Sequence, residues 1–156
     1  KVAEVQALLL LVGGGEDYDA LRRQAKSLGL GDAVRFVGHV HSEQAPLYYR
    51  LADVSVDPVR DDPANRARCP LKIAESLASG TPVVSGDVGD RSTLLAFGGG
   101  LLVPSDDPDE LADALLRVLR DGALRNRLER ESLTARDHFY WQRLAVDFAE
   151  VYNPET

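Results

Sequence analysis

Cys69–Gly86 reads C-P-L-K-I-A-E-S-L-A-S-G-T-P-V-V-S-G, which spells a helix, a stop, a turn and a strand. Pro70 suits the first helical position, where its missing N–H would be unpaired anyway and its φ is already helical. Ile73, Ala74, Leu77 and Ala78 recur at helical spacing and give one apolar face of mostly small residues. Gly80 stands where a left-handed residue closes a helix, and Pro82 forbids continuation. Val83-Val84 then predicts a strand without polar interruption. Helix formation does not require Glu75, whose neighbours one turn away are Leu71, Ala78 and Ser79. On that open, half-apolar side a carboxylate either reaches water or has a specific partner.

The same alternation extends in both directions. Lys1–Gln6 reads as the tail of a helix. Ala7–Val12 is an unbroken apolar run ending in Gly13-Gly14-Gly15, the pattern of a strand covered on both faces in a parallel sheet. Glu16-Asp17 opens a helix with negative charge at its positive end. Leu21, Ala25 and Leu28 form its stripe, and Gly29 ends it. Val34–Val37 predicts a second strand closed by Gly38. Ser42 is placed to cap a short helix lined by Leu47, Tyr48 and Leu51. Val54–Val56 predicts a third strand, running into the polar loop Asp57–Arg68. Val83–Ser85 and Leu101–Val103 predict the fourth and fifth. Asp107 caps a helix that has Pro108 at its first position and Leu111, Leu115, Val118 and Leu119 as its stripe. Helical patterns follow around Leu124–Leu133 and Trp141–Tyr152, with Trp141 and Phe148 expected in the core. Short apolar runs alternating with helices predict a Rossmann-like doubly wound parallel sheet in a three-layer α/β/α sandwich.

With 156 residues, one domain with a sizeable core is expected. The chain has 18 Lys and Arg against 25 Asp and Glu, a net charge of −7 spread along its length. That balance argues against nucleic acid or an anionic membrane as the main partner, since both need a basic footprint, but leaves room for a local diphosphate pocket. The lone Cys69 excludes an internal disulfide and fits a cytoplasmic location. No run approaches the roughly 18 apolar residues that span a bilayer. Glu4 and the lack of a small-residue cleavage site exclude a secretory signal. With no methionine anywhere, the chain reads as a slice of a longer polypeptide.

The quoted stretch resembles the motif of the retaining, GT-B-fold glycosyltransferases of family 4, in their C-terminal, donor-binding domain. That family carries E-x7-E, a small-residue helix and then G-x-P-V-V. Its second glutamate falls on Glu75, and S-L-A-S-G-T-P-V-V follows. The first falls on Ala67, a departure at the position that in the family contacts the donor sugar; a branch of the family carries P-L-K in place of the usual glycine-rich run. L-L-L-V-G-G-G, V-R-F-V-G-H-V, L-Y-Y-R-L-A-D-V-S-V-D-P, V-G-D-R and G-G-L-L-V-P-S-D-D-P-D-E-L-A resemble further family segments in the family's order, and the tail H-F-Y-W…Y its terminal aromatic helix.

The resemblance implies one nucleotide-sugar-binding domain over 1–156, lacking its first strand, its diphosphate loop and the N-terminal acceptor domain. The expected reaction is transfer of a sugar from a nucleotide-diphosphate sugar to an acceptor the sequence does not name, the fragment alone being inactive. The donor is a substrate, and no cofactor is expected. Any peripheral membrane association would run through the missing N-terminal domain. The resemblance also implies that Glu75 bonds the donor ribose hydroxyls and that the backbone at Gly38, His39 and Val40 meets the base. Free N–H groups and the dipole at the helix start Cys69, Leu71 and Lys72 favour a phosphate. Gly14, in a turn after a strand, could admit a ligand close to the backbone, but a simple turn is the better reading of that signal.

Blander readings stand beside these. Glu75 can pair with Lys72 on a helix surface. His39-x-His41 has no third ligand at suitable spacing, and Asp17-Tyr18-Asp19 is an N-terminal charge cluster, so no metal is expected. Arg60, Arg66 and Arg68 either close over a diphosphate or balance Asp57, Asp61 and Asp62. A signalling receiver module, suggested by Asp57 at a strand end, lacks its acidic pair and its lysine, since Gly13–Gly15 and Pro104-Ser105 fill those places. A nucleotide-sugar epimerase of the same fold, or a non-catalytic homologue serving binding or assembly, are the alternatives.

Overall fold

The computed structural model describes residues 6–152. The helix tail read at Lys1–Gln6 lies outside them apart from Gln6, which is irregular. The chain divides into two compact units, Lys1–Tyr48 and Tyr49–Thr156.

In the first unit, β1 (Leu9–Val12) and β2 (Val34–Gly38) are joined through α1 (Tyr18–Ser27). The strands pair in parallel, Leu9 opposite Val34 and Leu11 opposite Phe36, and a slip in register brings Val12 opposite Gly38. Gly29 follows α1 at φ +66°, the conformation its position demands. The expectation of a doubly covered strand fails here. No described residue of this unit is buried, and Leu28, on the expected α1 stripe, is 63% exposed. Two strands and one helix supply too little apolar surface within the unit to cover both faces. Ser42 is not the cap: Gln44 Oε1 accepts from the His41 N–H at 3.3 Å, so the turn Ser42–Gln44 is closed from His41. The helix that follows, α2 (Ala45–Leu51), leaves Leu47 and Leu51 exposed.

The second unit is built on β3 (Ser55–Asp57), β4 (Val83–Gly86) and β5 (Gly100–Val103), all parallel, with β4 central. Between and after them come α3 (Pro63–Arg66), α4 (Leu71–Ala78), α5 (Arg91–Leu94), α6 (Pro108–Arg120), α7 (Gly122–Ala135) and α8 (Trp141–Tyr152). Side chains alternate across a strand, so Val83 and Val84 face opposite ways. Val83 packs with Ile73, Leu77, Leu94, Leu95 and Ala135, and Val84 with Val103, Ala114, Val118 and Leu128. Helices on both faces of a parallel sheet make this the expected doubly wound α/β arrangement. Each fully buried aliphatic side chain contributes about 1.5–3 kcal/mol over an exposed one.

Helix α4 starts one residue later than read. Pro70 is its cap (φ −81°, ψ 97°), and the Pro70 carbonyl accepts from the Ile73 N–H at 3.0 Å. Its end is as expected: Gly80 at φ +77°, the Gly80 N–H donating to Leu77 and the Thr81 N–H to Ser76. The buried face is Ile73, Ser76 and Leu77, while Ala78 is exposed. Ser76 can be buried because its hydroxyl has partners, Ser55 Oγ at 2.7 Å and the Thr81 carbonyl at 3.0 Å. Asp107 caps α6 by accepting from the Asp109 and Glu110 N–H groups. The aromatic tail departs from expectation. Trp141 is 68% exposed and Phe148 also lies outside the core, because the main packing of α8 among the described residues is against the short turn Arg136–His138. Their rings meet each other at 6.1 Å instead.

Candidate functional site

Parallel strands end at one edge of a sheet, and there the second unit concentrates its charged groups. Asp57 is the last residue of β3, and its side chain is 3% exposed. One carboxylate oxygen accepts from Arg91 Nε at 2.7 Å; the other lies 3.2 Å from Lys72 Nζ. Ser85, on β4, adds a hydroxyl donor at 3.3 Å. Arg91 is equally buried and donates through Nη1 to the Val88 carbonyl at 3.0 Å and the Asn65 carbonyl at 3.3 Å. A buried guanidinium needs this many acceptors to offset its desolvation. One carboxylate faces two cations, so the cluster carries a net positive charge, and the 57%-exposed Lys72 presents it to solvent at the first turn of α4.

The loops after the three strands interlock around this cluster. The Asp61 N–H donates to Asp106 Oδ2 at 3.0 Å, and Asp106 holds φ +57°. Gly86 and Gly89 are required by space. A Cβ on Gly86 would lie 2.7 Å from Val59 Cγ1, and one on Gly89 2.6 Å from the Arg66 carbonyl oxygen. Arg66 forms a two-bond pair with Asp61, holding that carboxyl below its usual range chiefly through the hydrogen bond. Asp62 caps α3 through the Asn65 N–H at 2.8 Å. The acidic residues of the loop are thus balanced by different partners, Asp57 by Arg91 and Lys72, Asp61 by Arg66.

Glu75 lies one turn beyond Lys72 and is exposed. The two do not pair with each other, because Lys72 is held by Asp57 and Glu75 accepts from the Tyr49 hydroxyl at 3.2 Å. Half-burial of Tyr49 and then the Glu75 carboxylate push the phenol pKa up to about 12. Leu71 is exposed at the start of α4, and Cys69 is a free, exposed thiol two residues before it. Cys69, Leu71, Lys72 and Glu75 therefore fall on one short segment at the charged edge.

The other candidates gather in the first unit. The Gly13 N–H donates to the Gly38 carbonyl at 2.7 Å. A Cβ on Gly14 would lie 2.4 Å from His39 Nε2, so only glycine lets the imidazole rest there. Gly14, Gly38 and His39 are thereby brought together, with Val40 following. The Gly13–Asp17 turn also borders an open groove of about 290 Å³ with Tyr18 and Phe36. Among the described residues, no three His, Cys, Asp or Glu side chains cluster as metal ligands would.

Arg91 and Tyr49 are not legible as site residues from sequence, and Asp57 is legible only as a strand-end carboxylate without its partners. Their partners lie 34 and 26 residues away in the chain, beyond any local spacing rule.

A parallel sheet with helices on both faces and a charged cluster at its strand ends places the second unit in the doubly wound α/β class. The chain belongs to the glycosyl transferases group 1 family, whose pattern matches residues 1–121. It is 35% identical over 146 residues to a D-inositol 3-phosphate glycosyltransferase of Nocardioides, covering 89% of this chain and 31% of that protein. It is also 35% identical over 150 residues to a GDP-mannose-dependent alpha-(1-6)-phosphatidylinositol monomannoside mannosyltransferase of Mycobacterium tuberculosis, covering 92% and 38%. The structure of sucrose-phosphate synthase from Thermosynechococcus elongatus superposes with a TM-score of 0.80 at 32% identity, over 94% of this chain and 38% of that one. The chain thus spans about a third of the length of these relatives.

Proposed function

We propose that this chain is the donor-binding part, over 1–156, of a retaining glycosyltransferase that moves a sugar from a nucleotide-diphosphate sugar to an acceptor. The observation that carries the reading is the division of labour on α4: Lys72, drawn to Asp57, offers positive charge at the helix start, and Glu75, one turn on, offers a carboxylate. A diphosphate at Cys69, Leu71 and Lys72 meets the helix dipole and the uncompensated charge of the Asp57 cluster. From there the ribose reaches Glu75. For the first unit taken by itself, the proposal is that the backbone at Gly14, Gly38, His39 and Val40 meets a base. Such a site acts by holding the donor and stabilising the departing diphosphate with fixed charge. No described helix is long and apolar enough to cross a membrane, and a cytoplasmic location is part of the proposal.

Ala67 favours a second reading. It stands exposed directly after α3 where the family's first glutamate falls, which suits a homologue that binds a nucleotide without transferring sugar. Calorimetric titration of the full-length protein with UDP, GDP and ADP, repeated with Glu75→Ala, tests the donor site. One nucleotide should bind and lose about 1–3 kcal/mol in the variant, the cost of an unpaired polar group. Equal affinity in both proteins would remove Glu75 from the site. Nucleotide binding without turnover of any nucleotide sugar would favour the non-catalytic reading.

A further inference from the structure

Tyr49 is the part of the second unit that the donor-site reading leaves unused. Its hydroxyl donates to Glu75 Oε2 at 3.2 Å across 26 residues of chain. Its backbone is also anchored, since the Tyr49 carbonyl accepts from Thr81 Oγ at 2.7 Å. Thr81 is buried in the turn that ends α4, with its own N–H on the Ser76 carbonyl. Tyrosine and glutamate are thus fastened to the same helix, one through its terminal turn and the other through its middle. The phenol, pushed up to about 12, keeps its proton across the working range and always donates. Without such a partner, a glutamate on an exposed helix face samples several rotamers. Lys72 does not compete for it, being held by Asp57.

We infer that Tyr49 is a positioning residue: by holding Oε2 it fixes Glu75 with Oε1 turned to the ribose hydroxyls, and so makes the site prefer ribonucleotides to deoxyribonucleotides. This rests on the reading of Glu75 as the ribose ligand. The carboxylate has room for both roles, because an ionised Glu accepts through two oxygens. Tyr49 does not touch the nucleotide; it acts through Glu75.

The test is calorimetry on the full-length protein with GDP, UDP and ADP and the 2′-deoxy and 3′-deoxy form of each. The wild type should bind its preferred ribonucleotide about tenfold or more tighter than at least one deoxy counterpart, the scale of a hydrogen bond to a charged group. Tyr49→Phe keeps the ring and removes the hydroxyl. It should lower that ratio by about threefold or more while leaving the deoxy affinity unchanged, since only the aim of the carboxylate is lost. Glu75→Gln is the reference and should lower the ratio too. A Tyr49→Phe protein with the wild-type ratio, beside a Glu75→Gln protein that has lost it, overturns the inference and leaves Glu75 on the ribose. Equal weakening of ribo and deoxy forms by Tyr49→Phe also overturns it, assigning Tyr49 a purely structural part. A wild type that does not discriminate, or Glu75→Gln with the ratio intact, overturns the donor-site reading itself.

Discussion

The β4 strand of the second unit and the β1 strand of the first begin as the same kind of apolar run, yet only one is buried. Val83 and Val84 are each covered, one by α4 and α5 and the other by α6, while α7 contributes to both sides. Leu9 and Val12 remain exposed in a unit that has one helix and two strands. An apolar run therefore announces a strand, but its burial is decided by how many helices the rest of the unit supplies. All the buried residues among those described therefore lie in the second unit, which also carries the charged edge with Asp57, Lys72 and Glu75.

The sharpest way to break this contrast is at the buried ion pair. Arg91→Ala leaves Asp57 buried with only Lys72 and Ser85, and should cost about 3–5 kcal/mol in chemical denaturation. Arg66→Ala, at the exposed pair with Asp61, should leave the denaturation midpoint where it was. Next in size, Leu77→Ala opens a cavity in the core and should cost about 2–5 kcal/mol. Leu28→Ala, on the exposed stripe of α1, should change stability by less than about 0.5 kcal/mol. Equal losses at Leu77 and Leu28 would mean that the first unit has a core of its own.

Gly80→Ala comes third, at about 1–2 kcal/mol, because φ +77° is unfavourable for any residue with a Cβ and Leu133 Cδ2 would lie 3.0 Å away. The smallest effect is a titration. Tyr49 should ionise near pH 12, followed by ultraviolet difference absorbance, and Glu75→Gln should bring it partway down. Burial remains in that variant, so the shift shrinks without vanishing. The sign follows from the raised value. The fold favours the neutral phenol, so this contribution to stability is complete below about pH 10 and disappears as pH rises from 10 to 12.

The difference in legibility has a physical origin. The Cys69–Gly86 stretch could be read because proline, glycine and apolar spacing act within a few residues. The same chemistry gave α6 from Asp107-Pro108. An identical Asp-Pro pair at Asp62-Pro63 opens α3, but with no apolar stripe after it the segment reads as loop. Asp57–Arg91 and Tyr49–Glu75 escaped because each joins residues that only the fold brings together. The α8 helix shows the reverse failure: its spacing is amphipathic, but spacing cannot say whether a partner covers the stripe. Glu75 stands out at a helix position that does not require it, and its ribose role is what the family resemblance implies. Its hydroxyl partner has no such signal.

The most direct measurement of the donor-site claim is hydrogen exchange of the full-length protein with and without its nucleoside diphosphate. Protection should rise in peptides covering Cys69–Glu75 and stay unchanged in Trp141–Tyr152. A nucleotide that binds while leaving Cys69–Glu75 exchanging as before would contradict the account.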